Sequence, residues 1–231
     1  MSMNTFDYED FILAKKETGI NIETTFRCRL QCPACQRHRP IGNWKMKVFE
    51  DISVDNWRKL LSFHSKTNAR WHKLCGQISD PIYHPNLIEL FKIRNIEYPH
   101  VPIEVNTNGS GKKWEFWENI FPLCEKLQDR REDRWHFALD GTDNETLNKY
   151  RIGSNFDDVY KVLEYSTKFD IKSVWHFIVF EHNKHQLPKA KQLAKDLNIT
   201  FRETWTTRDT PEVPAAKEAF EYQLLRKIHN D

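Results

Sequence analysis

Three cysteines lie within eight residues of this 231-residue sequence, with the spacing C-x3-C-x2-C. They are Cys28, Cys32 and Cys35, and they follow residues 20–26, whose alternating side chains predict a β-strand. Three thiolates on one short loop can bind a single metal centre. No fourth cysteine is near enough in the sequence to complete a four-cysteine site, and this missing ligand is the main clue to the chemistry.

The spacing alone leaves three interpretations open. A zinc site would take three sulfur ligands and one nitrogen ligand, from Cys28, Cys32, Cys35 and His38. A redox site would use the C-x-x-C pair Cys32 and Cys35, but such pairs normally open a helix, and residues 36–43 have no helical pattern. An iron–sulfur cluster would be held by the three thiolates, which leaves one iron free.

The composition limits the classes to which the protein can belong. A chain of 231 residues is long enough for one domain with a substantial core. The net charge of +2 requires no nucleic acid or membrane surface as a partner, and we do not expect nucleic-acid binding. No apolar run has membrane-spanning length and the polar N-terminus is unlike a signal peptide, so we expect a cytoplasmic protein with reduced thiols.

The remaining cysteines support metal binding rather than a disulfide framework. Five cysteines are an odd number, and three of them are clustered. Cys75 and Cys124 have no cysteine partner close in sequence, so we expect both to be small buried side chains.

The rest of the chain predicts a regular alternation of strands and helices. The predicted strands are residues 20–26, 70–74, 101–106, 134–139, 173–180 and 199–205. The predicted helices are residues 6–18, 53–63, 86–98, 112–128, 156–169, 187–197 and 214–228. Such alternation is typical of βαβ units. It predicts an α/β fold with a parallel sheet, as a partial (βα)6 TIM-like barrel, with a doubly wound open sheet as the alternative.

This pattern also predicts how the chain is divided. Residues 1–19 would form an N-terminal helical extension, residues 20–205 the core domain, and residues 206–231 a C-terminal loop and helix. No cysteine follows the sixth predicted strand, so we expect no C-terminal domain with additional clusters.

The unusual residues follow the carboxyl ends of the predicted strands. They are the cysteine loop, residues 77–81, Thr107-Asn-Gly109, Asp140-Gly-Thr142 and Asn183. In parallel barrels and α/β sheets that edge carries the active site. A structural zinc site stabilises a small fold, whereas this domain is large enough to fold without one. The position of the cysteine loop therefore indicates catalytic chemistry.

Together these motifs resemble those of the radical S-adenosylmethionine (radical SAM) superfamily, whose cluster motif is C-x3-C-x2-C after the first strand. Five further segments carry the resemblance: Gly76-Gln-Ile-Ser-Asp-Pro-Ile-Tyr-His-Pro-Asn-Leu87, Val105-Asn-Thr-Asn-Gly109, Leu139-Asp-Gly141, Tyr150-Arg-Ile-Gly-Ser-Asn-Phe156 and Phe177-Ile-Val-Phe-Glu-His-Asn183. They are similar to the family's glycine-rich segment, its T-N-G, its L-D-G, its Y-R-x-G-x-x-F and its fifth-strand segment. The resemblance covers residues 20–205, nearly the whole chain.

The resemblance implies an enzyme with a 4Fe–4S cluster and S-adenosylmethionine (SAM) as cofactors. Cys28, Cys32 and Cys35 would bind three irons, and the open iron would bind the amino and carboxylate groups of SAM. Reductive cleavage of SAM would yield a 5′-deoxyadenosyl radical, which would abstract a hydrogen from the substrate. The SAM-binding residues that the resemblance implies are Gln77, Ile78, Ser79 and Asp80 near the methionine amino group, Asn108 and Asp140 near SAM or substrate, and Val179 and Asn183 near the adenosine.

Three positions depart from the family's pattern. Ser79 replaces a glycine, Ala34 replaces a common aromatic residue before the third cysteine, and Ala138 replaces a serine before L-D-G. None of these changes removes a cluster ligand.

The partners and the substrate are less constrained by the sequence. The implied chemistry requires an external one-electron donor. We expect a peptide or protein substrate, with a small metabolite or nucleotide precursor as the alternative. The contrasting hypothesis is a zinc-binding interaction module without enzymatic activity. Tyr83, Tyr150 and Arg151 are candidates for the substrate opening, and we expect structural roles for His72, His136 and His176.

Overall fold

The computed structural model describes residues 19–38, 50–66, 71–74, 77–125, 132–211 and 213–219. The predicted N-terminal helix lies outside these residues, as do Cys75 and most of the predicted C-terminal helix. Residues 214–218, the described beginning of that C-terminal helix, form loop and turn instead. The reason is local, because the Pro214 carbonyl accepts the Glu181 N–H and the Ala215 N–H donates to Asp209.

Six parallel strands form one sheet in the order of the sequence. They are β1 (Ile20–Ile22), β2 (His72–Leu74), β3 (Ile103–Thr107), β4 (Arg134–Ala138), β5 (Lys172–Val179) and β6 (Thr200–Trp205). Each strand pairs with the next one along the chain, and within the described residues β6 does not close on β1. The predicted fold, a partial (βα)6 barrel with a parallel sheet, is confirmed.

Helices connect successive strands. They are α1 (Val54–Ser62), α2 (Leu87–Glu97), α3 (Trp114–Ile120), α4 (Asn144–Tyr150), α5 (Phe156–Ser166) and α6 (Leu187–Asp196). The sequence did not predict α4, which has only seven residues and begins where the Asp143 side chain accepts the Thr146 N–H. For residues 112–128 the sequence predicts a helix, with a break before Pro122 as the alternative. The break is present, because α3 ends at Ile120 and a short 3-10 turn over Phe121–Cys124 contains Pro122, which lacks an N–H.

The two faces of the sheet differ in character because side chains alternate along each strand. Large apolar side chains point towards the helices and are fully buried: Leu74, Val105, Trp135, Phe137, Trp175 and Phe177. The intervening positions on the concave face are mostly polar: Lys73, Glu104, His136, His176 and Arg202. The interior of a closed eight-stranded barrel is dominated instead by branched apolar residues.

A buried ion pair fixes the amino end of the sheet. Arg94 of α2 and Asp133, just before β4, are both fully buried, and Arg94 Nη2 lies 2.5 Å from Asp133 Oδ2. Arg94 also donates to the carbonyl oxygens of Val101 and Leu123, and Asp133 accepts the N–H of Ile103. These bonds join α2, β3 and β4 at the end of the barrel opposite the unusual motifs.

We expect Asp133→Asn to destabilise the protein by about 3–5 kcal/mol, because it leaves the Arg94 guanidinium buried without a countercharge. Urea unfolding followed by circular dichroism measures the change. The control is Glu97→Gln, which breaks a pair with Arg58 of similar geometry at the surface. Solvent already screens that pair, so Glu97→Gln should lower the free energy of unfolding much less than Asp133→Asn does. Equal losses in both variants would contradict the role given to the buried pair.

Candidate active site

A cavity of about 220 Å3 lies at the carboxyl ends of β1 to β5. All three clustered cysteines line it, together with five other predicted site residues: Gln77, Ile78, Ser79, Asp80 and Asn108. Asp140, Val179 and Asn183 are not among its lining residues. The structure therefore brings together the residues predicted around the cysteines and the methionine end of SAM, and places the other three behind the cavity wall.

The cysteine loop is attached to its neighbours through backbone groups. The Cys35 N–H donates to the Cys32 carbonyl over 3.1 Å, which closes a turn between these two residues. Arg37 Nη1 donates to the Cys28 carbonyl over 3.1 Å. His38 is exposed and does not line the cavity, although its own N–H donates to the Cys35 carbonyl.

The surroundings of the thiols are apolar. Leu30, Tyr150, Phe180 and Val213 are buried and pack in one cluster with the three cysteines. Burial, with a smaller contribution from the charge of Asp80, raises the pKa of Cys28 to about 11. Burial also raises the pKa of Cys32, against the opposing effect of the nearby Arg151 guanidinium. Coordination to a metal deprotonates such thiols outright, so the site suits thiolates that are bound to metal.

The three thiols line one cavity without converging on a single metal position. Within the described part of the chain, no three His, Cys, Asp or Glu side chains are placed to share one metal ion. Two sulfur ligands of a tetrahedral zinc site lie only about 3.8 Å apart, given bonds of about 2.3 Å. In a 4Fe–4S cluster each cysteine binds a different iron, so the thiolates need only surround a common cavity.

Asn108 contributes a further feature that suits a cluster. Its side-chain Nδ2 donates a hydrogen bond to Cys28 Sγ over 3.6 Å. Hydrogen bonds to sulfur ligands are among the factors that set the reduction potential of iron–sulfur clusters. The residues present therefore fit a cluster ligated by three cysteines.

Asp80 joins the ends of β2 and β3. Its Oδ1 accepts the Ile82 N–H, and its Oδ2 accepts the Asn108 N–H over 2.6 Å and the Thr107 hydroxyl over 3.1 Å. The Asp80 N–H donates to the Arg27 carbonyl, just before the first cysteine. Burial raises the pKa of Asp80 to about 6, and the hydrogen bonds oppose that shift. Its carboxylate is thus used mainly to position the cavity wall.

Glu23 is a site residue that the sequence analysis missed. Its Oε1 accepts the Gln77 N–H over 2.8 Å and the Ile78 N–H over 3.4 Å, and its Oε2 is hydrogen bonded to the Ser79 hydroxyl. In a trans peptide the N–H and C=O groups point in opposite directions. The carbonyl of Gln77 is therefore directed away from Glu23. The strand predicted over residues 20–26 includes Glu23, whereas β1 ends at Ile22, so its place at the strand end is visible only in the structure.

The hydroxyl of Ser79 explains one departure from the family pattern noted above. A glycine at that position could not bond to Glu23 through a side chain. Here the serine adds a third hydrogen bond between Glu23 and the segment of Gln77, Ile78 and Ser79, hereafter the 77–79 segment.

Asp140 and Asn183 act behind the cavity. Asp140 Oδ1 accepts the Ile178 N–H over 2.7 Å, and Oδ2 lies 2.6 Å from Arg151 Nε. Asn183 Nδ2 donates to the carbonyl oxygens of Asp140 and Ile178. Both side chains are fully buried. They connect the ends of β4 and β5, and the structure gives them positioning contacts.

Val179 and its neighbour Ile178 face opposite sides of β5. The side chain of Val179 is fully buried in the core, whereas Ile178 lines the cavity. Any contact of Val179 with a ligand at this edge would have to use its backbone.

The residues proposed for the substrate opening separate into two groups. Arg151 and Tyr150 line the cysteine cavity, where Arg151 pairs with Asp140 and its side chain is 13% exposed. Arg208 also lines that cavity and donates to the Tyr150 hydroxyl over 3.2 Å, a contact that the sequence did not predict. Tyr83 borders a separate opening of about 670 Å3, which also reaches Cys28.

Residues 22–193 match the family described as the radical SAM superfamily. No curated protein matches the sequence significantly. No helix in the described residues is both long enough and apolar enough to cross a membrane.

Several solved structures have a similar fold. SuiB from Streptococcus suis bound to S-adenosylmethionine has a TM-score of 0.69 and 12% identity, over 94% of this chain and 47% of SuiB. SuiB bound to its precursor peptide SuiA has a TM-score of 0.68 and 13% identity, over 93% and 46%. The anSMEcpe structure with bound AdoMet has a TM-score of 0.62 and 14% identity, over 94% and 60%. This chain thus spans about half the length of SuiB.

Identities this low establish a shared fold only. The family match is stronger evidence, because it covers about three quarters of the chain and includes the three cysteines that line the cavity. The chain belongs to the radical SAM superfamily, and it is therefore an enzyme with the cofactors of that family, a 4Fe–4S cluster and SAM.

Proposed function

We propose that this enzyme binds the 4Fe–4S cluster through Cys28, Cys32 and Cys35 and removes a hydrogen atom from its substrate. When bound, the reduced cluster supplies the electron that cleaves SAM to methionine and the hydrogen-abstracting 5′-deoxyadenosyl radical. The observation that carries this proposal is the common cavity of the three cysteines and the 77–79 segment. The apolar cluster around the thiols would keep water away from the reacting groups.

The methionine end of SAM would lie between the 77–79 segment and Arg151. The Gln77 carbonyl is directed away from Glu23 and can accept a hydrogen bond from an ammonium group. Arg151 is a cation beside Cys32, and its planar guanidinium suits a carboxylate. Asp140 would act through Arg151 by holding its Nε.

The adenosine would lie towards the end of β5. Ile178 offers an apolar surface there, and Val179 would contribute backbone groups only. Asn183 would act indirectly, because its side chain donates hydrogen bonds to the carbonyl groups of Asp140 and Ile178.

A peptide or protein is the substrate class that we propose. Within the described residues the sheet does not close between β6 and β1, so a long chain could enter from the side. SuiB, which has a similar fold, has been solved with a precursor peptide. A small metabolite remains the second candidate, favoured by the modest volume of the cysteine cavity.

The electron would come from an external donor at the second opening. Three arginines border this opening next to Cys28, Arg27, Arg29 and Arg37, and they outnumber its two carboxylates, Glu50 and Asp51, of which Asp51 pairs with Arg27. Opposite charges on two partners accelerate their association, so an acidic one-electron donor would suit this surface.

The cysteines can be tested against the zinc hypothesis by spectroscopy. We expect anaerobically reconstituted protein to be brown, and Cys28→Ala, Cys32→Ala or Cys35→Ala to lose most of the cluster absorbance, because each removes an iron ligand. His38→Ala and the control Cys124→Ala should keep it. Cys124 is buried and hydrogen bonded to the Ile120 carbonyl, apart from the cavity.

Two results would overturn the cluster assignment. One is colourless protein with one zinc per chain that is lost in the His38 variant. The other is the absence of 5′-deoxyadenosine after the reconstituted enzyme is incubated with dithionite and SAM.

Glu23 can be tested separately through SAM affinity. We expect Glu23→Ala to raise the Kd for SAM about ten-fold or more, because the 77–79 segment loses hydrogen bonds to a charged acceptor. Glu23→Gln keeps one oxygen acceptor and should lose less. Equilibrium binding of SAM to the reconstituted enzyme gives the Kd, and cluster absorbance per chain should stay unchanged.

Amide hydrogen exchange in the protein without SAM provides the second readout. Exchange at Gln77 and Ile78 should become faster in Glu23→Ala and stay unchanged in Glu97→Ala, an exposed control on α2. If exchange is faster while SAM affinity is unchanged, Glu23 has a structural role without a role in SAM binding.

A further inference from the structure

The concave face of the sheet carries polar groups that the proposed chemistry does not use. Below the cysteine cavity lie Lys73 on β2, Glu104 on β3, His136 on β4, His176 on β5 and Arg202 on β6. Buried polar groups in a barrel interior are costly unless they are paired or serve a ligand.

Three of these residues lie close together. Lys73 Nζ lies 2.5 Å from Glu104 Oε1, and His136 Nε2 lies 3.4 Å from the same oxygen. The Lys73 and Glu104 charges cancel. Burial lowers the pKa of His136 to about 4, so this imidazole is neutral near pH 7. These three side chains together carry no net charge below the cavity.

Arg202 is different. It is exposed, and its side chain makes no ion pair or hydrogen bond with any residue that the structure describes. Its neighbours on β6 fix its direction, because Phe201 packs on Trp175 and Glu203 pairs with Lys191 of α6 on the helix side. Arg202 consequently projects from the concave face, in register with His176.

His176 links Arg202 to the reaction cavity. The two residues are paired in register on β5 and β6, and His176 lines the cysteine cavity. His176 Nε2 lies 2.9 Å from Thr204 Oγ1, which fixes the ring. Burial, with a contribution from the positive charge of Arg202, lowers the pKa of His176 to about 3. A neutral imidazole that lines the cysteine cavity and a guanidinium without a partner among the described residues therefore lie side by side on the concave face.

We propose that Arg202 and His176 form a recognition site for a carboxylate of the substrate. The guanidinium can bind a carboxylate through two parallel hydrogen bonds, and the fixed imidazole adds a polar contact on the cavity side. This inference rests on the proposed function, because it places the substrate group below the site of radical formation.

The carboxylate could belong to an acidic side chain or to the C-terminus of a peptide. Four probes separate these sources: N-acetylglutamate N-methylamide, N-acetylglutamine, neutral N-acetylglutamine N-methylamide and N-acetylphosphoserine N-methylamide. Their binding to the reconstituted enzyme is measured by calorimetry in the presence of SAM without reductant. We expect at least one carboxylate probe to bind ten-fold or more tightly than the neutral and phosphate probes.

The variants assign the effect to Arg202. Arg202→Gln should abolish the preference for the carboxylate probe, and Arg202→Lys should retain part of it, because lysine keeps the charge without the planar fork. Arg134→Gln is the matched control, since Arg134 is another exposed arginine at the beginning of β4. It should leave the preference unchanged. Circular dichroism of each variant verifies folding.

The outcomes separate this inference from the proposed function. Equal binding of all probes, or a preference that survives Arg202→Gln, overturns the carboxylate site. Preference for the phosphate probe also overturns it. Formation of 5′-deoxyadenosine by the wild-type enzyme is measured in parallel, and its absence would refute the proposed function whatever the binding results show.

Discussion

The candidate site depends most on the hydrogen bonds that the Asp80 carboxylate accepts. Asp80 accepts hydrogen bonds from groups at the ends of two neighbouring strands, while its own N–H holds the chain just before Cys28. Parallel strands end with backbone donors and acceptors that the sheet no longer satisfies. A side chain that accepts several of these donors fixes the strand ends relative to one another. The relative positions of the cysteine loop and the 77–79 segment follow from this arrangement.

Two other carboxylates also accept hydrogen bonds from groups at the strand ends beside the cavity. Glu23 holds the 77–79 segment from β1, and Asp140 holds Ile178 and Arg151 from β4. All three accept backbone N–H groups, which are weak partners in water but strong ones in a buried site. The amino end of the barrel is secured independently by the Arg94–Asp133 pair. The ion pair that stabilises the fold and the carboxylates that shape the cavity thus lie at opposite ends of the barrel.

The sequence was sufficient to predict the sheet and the position of the cysteines, because alternation and strand-end motifs depend on short stretches of chain. It was not sufficient to assign side-chain directions. The side-chain atoms of Asp80 and Asn183 form hydrogen bonds within the protein. The side chain of Val179 lies in the core and that of Ile178 faces the cavity, because neighbouring residues of a strand face opposite sides. Such contacts involve residues far apart in sequence, which no local pattern encodes.

The alternation of β5 has a consequence for how such an enzyme can change over evolutionary time. Trp175 and Phe177 fill the core, while His176 and Ile178 between them face the cavity. Each strand therefore carries two sets of side chains under different selection, one for folding and one for specificity. A point mutation on the concave face can alter what the enzyme accepts while the packing beneath the helices stays the same. Single substitutions can then change the accepted substrate in variants that still fold.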